Sequence, residues 1–262
     1  MTLTSGGLAT RVATAAVLIA ALLAVLFLLP RPWLAALVAA LAGLAAFEWA
    51  RLCRLDGRAA WAYAGTMAFA LIVLYNTEPW WPAFAIGAAF WIVVAPLWMW
   101  RGVAARHSRL LAAAGFVVLL PAALAMATLP PLQVLLVLVL VWIADTAAYF
   151  SGNAWGRRKL APSISPGKTR EGALGGLAGA LAYAIICGAL VEGIAWVPYL
   201  AAAALVAALS IVGDLLESAV KRQAEVKDSG SLLPGHGGIL DRIDSATATL
   251  PVAALLLPWI GT

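Results

Sequence analysis

The chain consists largely of long, continuous runs of apolar residues, separated by short breaks that contain proline, glycine or charged residues. A bilayer core about 30 Å thick is crossed by about 20 apolar residues in a helix, and the runs have roughly this length. The pattern therefore predicts nine membrane-spanning helices, at roughly 12–29, 33–50, 59–75, 80–100, 110–129, 132–150, 173–191, 197–217 and 242–260. A β-barrel is not expected, because the runs do not alternate with a period of two. The predicted fold class is an all-α, polytopic integral membrane protein.

Composition supports this fold class and excludes several others. Of 262 residues, 64% are hydrophobic and 11% are charged, whereas a soluble domain averages about 45–50% apolar and 25% charged residues. So few charges cannot cover a soluble globule of this size, which excludes a soluble enzyme and a disordered chain. Cys53 and Cys187 lie far apart and are expected to be apolar filler, so a disulfide scaffold is excluded too.

The basic residues predict the orientation of the spans, because Lys and Arg are enriched in the cytoplasmic loops of membrane proteins. With the N-terminus in the cytoplasm, all 17 basic residues except Arg31 fall on the cytoplasmic side. The first run is expected to be an uncleaved helix. The predicted location is the cell inner (plasma) membrane, with several passes and an active site that faces the cytoplasm. This topology also explains the net charge of +5, so no nucleic-acid partner is expected.

Two predicted loops are longer than simple connections require. We expect the chain to form one membrane domain, with helices 1–5 in residues 1–130 and catalytic helices 6–9 in residues 131–262. The long loops, 151–172 and 218–241, both belong to the second part and lie on the basic side. Long polar loops between otherwise minimal spans indicate a functional site.

Glycines at the start of the seventh run have the spacing of a close helix contact. Gly172, Gly175, Gly176 and Gly179 give small residues three and four positions apart. Small residues let two membrane helices approach each other closely. The sequence therefore predicts tight packing of this helix against a neighbour.

Two aspartates lie inside predicted spans. Asp145 falls in the sixth run and Asp214 in the eighth, both within a turn or two of the cytoplasmic end. A carboxylate at the centre of a span costs roughly 2.5–3.5 kcal/mol on insertion scales, so such residues usually have partners and a function. For Asp145, an interfacial carboxylate paired with a nearby basic residue is the alternative.

Helical spacing groups further polar residues. Asp214, Ser218 and Lys221 are four and three residues apart and share one helical stripe, and Asp241 and Asp244 share one face at the start of the last span. Carboxylates so close together repel unless a cation neutralises them, and oxygen ligands favour a hard divalent ion such as Mg²⁺. Basic residues beside such an ion are what polyphosphate binding requires.

Two sequence blocks resemble a known family. Ser218-Ala-Val-Lys221-Arg222, then Lys227-Asp228, then LLPGHGGILDRID ending at Asp244, resembles the signature of phosphatidate cytidylyltransferases, also called CDP-diacylglycerol synthases. The block WIADTAAYFSGNAWGRRKLAPSISPGKTREG (142–172) is similar to the other characteristic stretch of that family. With the hydrophobic layout the resemblance covers the whole chain, although the first 130 residues match only in hydropathy.

The resemblance implies transfer of a cytidylyl group from CTP to phosphatidate, giving CDP-diacylglycerol and pyrophosphate, with Mg²⁺ as cofactor. It further implies contact with membrane lipids and a homodimer. The implied catalytic residues are Asp214, Lys221, Asp241 and Asp244, of which the three aspartates would bind metal. The implied substrate-binding residues are Asp145, Lys168, Ser218, Arg222, Lys227, Asp228, His236 and Arg242. Asp145 would be either a further metal ligand or the partner of a basic residue, and His236 would contact either a phosphate or a carboxylate.

Three other functions fit the sequence less well. A transporter or channel fits less well, because the charges gather at one face of the predicted bundle. A CDP-alcohol transferase would carry DGxxAR followed by spaced aspartates, whereas Asp56-Gly57 is followed by Arg58-Ala59-Ala60-Trp61 and by no aspartate before Asp145. A scaffold whose basic loops bind anionic lipid would not need the aspartates.

Overall fold

The computed structural model describes residues 5–104, 107–230, 232 and 237–260, with side chains from residue 16 onward. Over these residues the chain forms nine helices: α1 (Ser5–Leu28), α2 (Arg31–Leu52), α3 (Gly57–Tyr75), α4 (Trp81–Arg101), α5 (Ser108–Thr128), α6 (Pro131–Trp155), α7 (Arg170–Gly188), α8 (Trp196–Gln223) and α9 (Leu240–Ile260). Eight of them, α2 to α9, are long and apolar enough to cross a membrane, and Ala16–Leu28 of α1 is also apolar. The predicted polytopic all-α fold is confirmed.

Prolines that interrupt the apolar runs mark the starts of helices. Pro32, Pro82 and Pro131 each occupy one of the first two positions of α2, α4 and α6. The first N–H groups of a helix have no partner within it, so proline loses nothing there, and its fixed φ suits a helix. Within α4, Phe90–Val94 forms a π-helical turn.

Arg31, the one basic residue predicted on the far side, has a structural role. Its guanidinium donates hydrogen bonds to the backbone oxygens of Leu129, at 2.7 Å, and Ala127, at 3.4 Å. The last carbonyls of a helix have no partner within it, so Arg31 satisfies the C-terminal end of α5.

Tight packing of α6 against α7 confirms the prediction from the glycine spacing. A Cβ on Gly176 would lie 2.8 Å from the backbone oxygen of Ala144, and one on Gly179 would lie 2.7 Å from the Cβ of Ala147. Real Cβ atoms do not approach other atoms so closely. Only glycine at these positions therefore lets the backbones of α6 and α7 lie this close together. The contact determines how α7 is placed against α6.

We expect Gly176→Ala to destabilise the protein by about 1–3 kcal/mol, because the added methyl meets rigid backbone and must push α7 away from α6. The matched control is Gly65→Ala in α3, where a Cβ would meet nothing within 4 Å. That variant should keep or slightly raise stability, since alanine favours a helix more than glycine does. Thermal unfolding of the purified variants in detergent measures the difference, and equal midpoints for both would contradict the packing argument.

Both loops predicted to be long are shorter in the structure. In place of the loop 151–172, α6 continues to Trp155, and an antiparallel hairpin of β1 (Lys159–Ala161) and β2 (Ser165–Thr169) leads directly into α7. In place of the loop 218–241, α8 continues to Gln223, because Ala219 and Val220 are buried and extend its apolar face. Ser218, Lys221 and Arg222 are therefore helical.

The two predicted parts of the chain contact each other at the end of the bundle that carries these segments. The side-chain amide of Gln223, at the end of α8, donates a 2.8 Å hydrogen bond to the backbone oxygen of Leu52, at the end of α2. The division at residue 130 stays a prediction.

Candidate active site

A cavity of about 490 Å³, lined by both polar and apolar side chains, lies between α6, the β1–β2 hairpin, the start of α7 and the C-terminal half of α8. Its polar lining includes Asp145, Asn153, Ser165, Lys168 and Asp214. This volume is typical of small-molecule sites. The sequence analysis did not single out Asn153 or Ser165, although both belong to the block 142–172.

Lys168 projects from the hairpin towards α8. Its Nζ lies 2.5 Å from Oδ2 of Asp214, and both side chains are partly exposed to the cavity. The hairpin is fixed at its base, since Glu171 accepts 3.1 Å hydrogen bonds from the backbone N–H groups of Arg157 and Arg158. Thr169, which follows Lys168 in the sequence, caps α7 by accepting a hydrogen bond from the N–H of Gly172. Lys168 is therefore held at the cavity by ordered backbone on both sides.

Two further carboxylates interact with the pair formed by Lys168 and Asp214. Asp145 and Asp244 both interact electrostatically with Lys168 and with Asp214. Ser218 also donates a 3.3 Å hydrogen bond to Oδ1 of Asp214, as their i, i+4 spacing predicts. We call Asp145, Lys168, Asp214 and Asp244 the Lys168 cluster. Its three carboxylates outnumber its one ammonium group, so it has an excess of negative charge.

A second group, the Lys221 cluster, consists of Glu217, Lys221 and Asp241. Lys221 Nζ lies 2.6 Å from Oδ1 of Asp241 and 3.2 Å from Oε1 of Glu217, the latter without the geometry of a hydrogen bond. The side chain of Glu217 is 3% exposed, and Asp244 lies next to it, so the two clusters adjoin. Glu217 was not among the predicted site residues, although Glu and Lys four residues apart on a helix commonly pair.

Asp241 is held mainly by backbone. Its Oδ2 accepts hydrogen bonds from the N–H of Ser229, at 2.9 Å, and of Gly238, at 2.8 Å, while Oδ1 faces Lys221. Gly237 has a φ of 82°, which lets the chain turn into this arrangement. Both oxygens of Asp241 are thus engaged in contacts within the protein.

The predicted metal-binding aspartates therefore belong to two different clusters. Asp214 and Asp244 share the Lys168 cluster, whereas Asp241 belongs to the Lys221 cluster. Within the described part of the chain, no three His, Cys, Asp or Glu side chains form a group that could hold a metal ion as they stand.

The remaining predicted substrate-binding residues lie near the clusters or outside the described residues. Arg222, Lys227, Asp228 and Arg242 are described and exposed. Arg222 lies in the last turn of α8, Lys227 and Asp228 follow that helix, and Arg242 belongs to the first turn of α9, at the same end of the bundle as both clusters. His236 lies outside the described residues.

Fold and site together define a polytopic membrane protein with a cavity lined by lysine and aspartate at one end of its helical bundle. The chain belongs to the cytidylyltransferase family, whose sequence model matches residues 9–260. It is similar to the phosphatidate cytidylyltransferase of Pseudomonas aeruginosa, with 44% identity over 266 aligned positions that cover 94% of this chain and 96% of that protein.

Two further relatives match over a shorter stretch. The phosphatidate cytidylyltransferase of Haemophilus influenzae is 51% identical over 122 residues, which is 45% of this chain and 42% of that protein. The phosphatidate cytidylyltransferase of Bacillus subtilis is 47% identical over 122 residues, which is 45% of each chain.

Proposed function

We propose that this protein transfers the cytidylyl group of CTP to phosphatidate. An oxygen of the phosphatidate phosphate attacks the α-phosphorus of CTP, the bond between the α-phosphorus and its bridging oxygen to the β-phosphorus breaks, and pyrophosphate leaves. The products are CDP-diacylglycerol and pyrophosphate. The observation that supports this most is Lys168 beside Asp214 in a cavity at the polar end of a membrane bundle, in a chain of the cytidylyltransferase family.

The residues of the cavity suit a reaction between two anions. The nucleophile is already negatively charged, so no strong general base is required, and the main task is to bring two phosphate groups together. Lys168, exposed to the cavity, binds phosphate oxygens and stabilises the charge that develops on the leaving pyrophosphate. Asp214 holds the ammonium of Lys168 in place before the substrates arrive.

An apolar trough gives the lipid substrate a path to the cavity. It runs between α7 and α8 and is lined by residues that include Leu174, Leu177 and Ala204. Three residues, Leu160, Ala173 and Ile211, line both the trough and the cavity. The phosphate of a membrane lipid can therefore enter the cavity while its acyl chains stay in apolar surroundings.

Magnesium is part of this proposal. The Lys168 cluster is better suited to bind the ion than the set predicted from the sequence, Asp214, Asp241 and Asp244. Asp214 and Asp244, with Asp145 beside them, carry more negative charge than Lys168 neutralises, and carboxylate oxygens are the ligands that Mg²⁺ prefers. Asp214 and Asp244 would supply carboxylate ligands to the ion and substrate phosphates would supply others, and the ion would neutralise charge on those phosphates. Asp241 does not fit a metal ligand in this arrangement, because Lys221 and two backbone N–H groups engage its oxygens.

We further propose that the cavity faces the cytoplasm, where CTP is found, in an inner (plasma) membrane. The predicted topology places all basic residues except Arg31 on the cytoplasmic side. Arg31 contacts the C-terminal end of α5, at the end of the bundle opposite the two clusters. The excess of Lys and Arg in cytoplasmic loops supports this orientation.

A homodimer is likewise a proposal, which crosslinking in native membranes would test.

The direct test is incubation of the purified protein with labelled CTP and phosphatidate, followed by extraction of lipid. We expect lipid-soluble cytidine label that requires a divalent cation and disappears with EDTA. Phosphatidate replaced by diacylglycerol is the matched substrate control, because it lacks the attacking phosphate. Equal labelling with both lipids, or none with phosphatidate, would contradict the proposed function, and full activity in EDTA would contradict the role of magnesium.

A further inference from the structure

Glu48, near the C-terminal end of α2, is a buried carboxylate that the proposed reaction does not use. It is 3% exposed and lies outside the two sequence blocks that carry the resemblance to the family. A buried carboxylate is costly unless hydrogen bonds satisfy it. Its partners therefore indicate what it does.

The donors to Glu48 come from the start of α9 and from the segment before it. Oε1 accepts a 3.0 Å hydrogen bond from the N–H of Ile239, and Oε2 accepts a 2.9 Å hydrogen bond from the N–H of Leu240, the first residue of α9. The first N–H groups of a helix need acceptors and favour negative charge. Glu48 thus caps α9, although 191 residues separate it from Ile239 and 192 from Leu240 along the chain.

Ser229 links Glu48 to the Lys221 cluster. Its hydroxyl oxygen lies 2.9 Å from Oε2 of Glu48 and 3.0 Å from Oδ2 of Asp241. A hydroxyl has one proton, so it donates to one of these carboxylates at a time. Asp241 also accepts the N–H of Ser229, so the same residue joins both carboxylates.

The fit of the chain around Glu48 is a second, independent observation. A Cβ on Gly230 would lie 2.5 Å from Oε1 of Glu48, and a Cβ on Gly238 would lie closer still to Oε2. Gly230 and Gly238, which lie in different parts of the chain between α8 and α9, therefore both approach the carboxylate more closely than a residue with a Cβ could unless Glu48 shifted.

We propose that Glu48 is a positioning residue of the site, an inference that rests on the proposed function. By capping α9 and contacting Ser229, Gly230 and Gly238, it fixes the positions of Asp241 and Asp244 on that helix. Asp241 then meets Lys221, and Asp244 faces Asp214 and Lys168. We call these contacts of Glu48 the Glu48 clamp. Because a displacement of about 1 Å in a catalytic group can cost about 100-fold in rate, the clamp controls turnover although Glu48 does not touch substrate.

The test compares Glu48→Gln and Gly230→Ala with Trp49→Phe. Glu48→Gln keeps the shape but removes the charge and turns an N–H₂ group towards backbone donors, and Gly230→Ala disturbs the same contact from the other side. Trp49→Phe is the matched control: Trp49 is also buried in α2, but its Nε1 donates to the backbone oxygen of Leu111 in α5, away from the clamp. We expect both clamp variants to lose about 10- to 100-fold in kcat with KM little changed, and Trp49→Phe to lose stability with far less loss of kcat.

Trypsin cleavage after the exposed Lys227 gives a readout that is independent of activity. We expect faster cleavage in Glu48→Gln and Gly230→Ala than in Trp49→Phe, because only the first two release the segment that follows α8. Wild-type kcat and cleavage rate in Glu48→Gln would overturn the proposal, as would equal losses of kcat in Glu48→Gln and Trp49→Phe. If the wild-type protein transferred no cytidylyl group, the proposed function would fail, while the difference in cleavage would still support or overturn the clamp.

Discussion

Replacing Asp214 with Asn is expected to reduce kcat about 100-fold or more while leaving folded protein in the membrane. Asp214 is the carboxylate closest to Lys168, and it is partly exposed to the cavity, so its loss removes charge from the site without opening the core. Lys168 then loses the group that holds it, and the proposed magnesium loses a ligand. Steady-state transfer of label from CTP to phosphatidate at several Mg²⁺ concentrations measures the effect.

Asp56→Asn provides the matched control for this substitution. Asp56 caps α3 by accepting a 2.8 Å hydrogen bond from the N–H of Ala59, and asparagine caps a helix about as well as aspartate. That variant should keep both stability and activity. Activity of Asp214→Asn within a few-fold of the wild type would contradict the placement of the site in this cavity.

The sequence predicted the spans well because each depends on properties of a single segment. Continuous apolar length determines where a helix can cross a bilayer, and prolines such as Pro32 and Pro131 mark where the next helix begins. The spacing of Gly172, Gly176 and Gly179 likewise predicts a close helix contact, because it depends only on small residues placed three and four positions apart. The prediction is wrong at the end of α8, because the helix continues past the first charged residues, where Ala219 and Val220 extend its buried face.

The site was predictable where its residues share a helix and not where they come from different ones. Ser218 contacts Asp214 because four residues separate them on α8. The pairs Lys168–Asp214 and Lys221–Asp241 join separate elements, and nothing in their spacing specifies them. Glu48 shows this most clearly, since its partners lie at the opposite end of the chain and its local sequence resembles that of an ordinary interfacial carboxylate.

Lys221→Met is expected to have the largest effect on stability. Methionine keeps the length of the side chain but leaves Glu217 and Asp241 buried beside each other without their cation. Breaking a buried ion pair from one side costs about 3–5 kcal/mol, and the side chains of Glu217, Lys221 and Asp241 are only 3%, 15% and 8% exposed. Thermal unfolding in detergent should show a large fall in the midpoint, together with loss of cytidylyl transfer.

Lys168→Met separates the roles of the two lysines. Lys168 and Asp214 are more exposed, at 27% and 34%, so removing that ammonium should abolish transfer with little change in the unfolding midpoint.

Adding Asp241→Asn to Lys221→Met should restore part of the lost stability, because one uncompensated charge disappears and mutations at contacting residues are not additive. Transfer should stay low in that double variant, since the backbone contacts of Asp241 are weakened. An unchanged midpoint in Lys221→Met, with a raised KM for CTP, would instead identify Lys221 as a direct phosphate-binding residue.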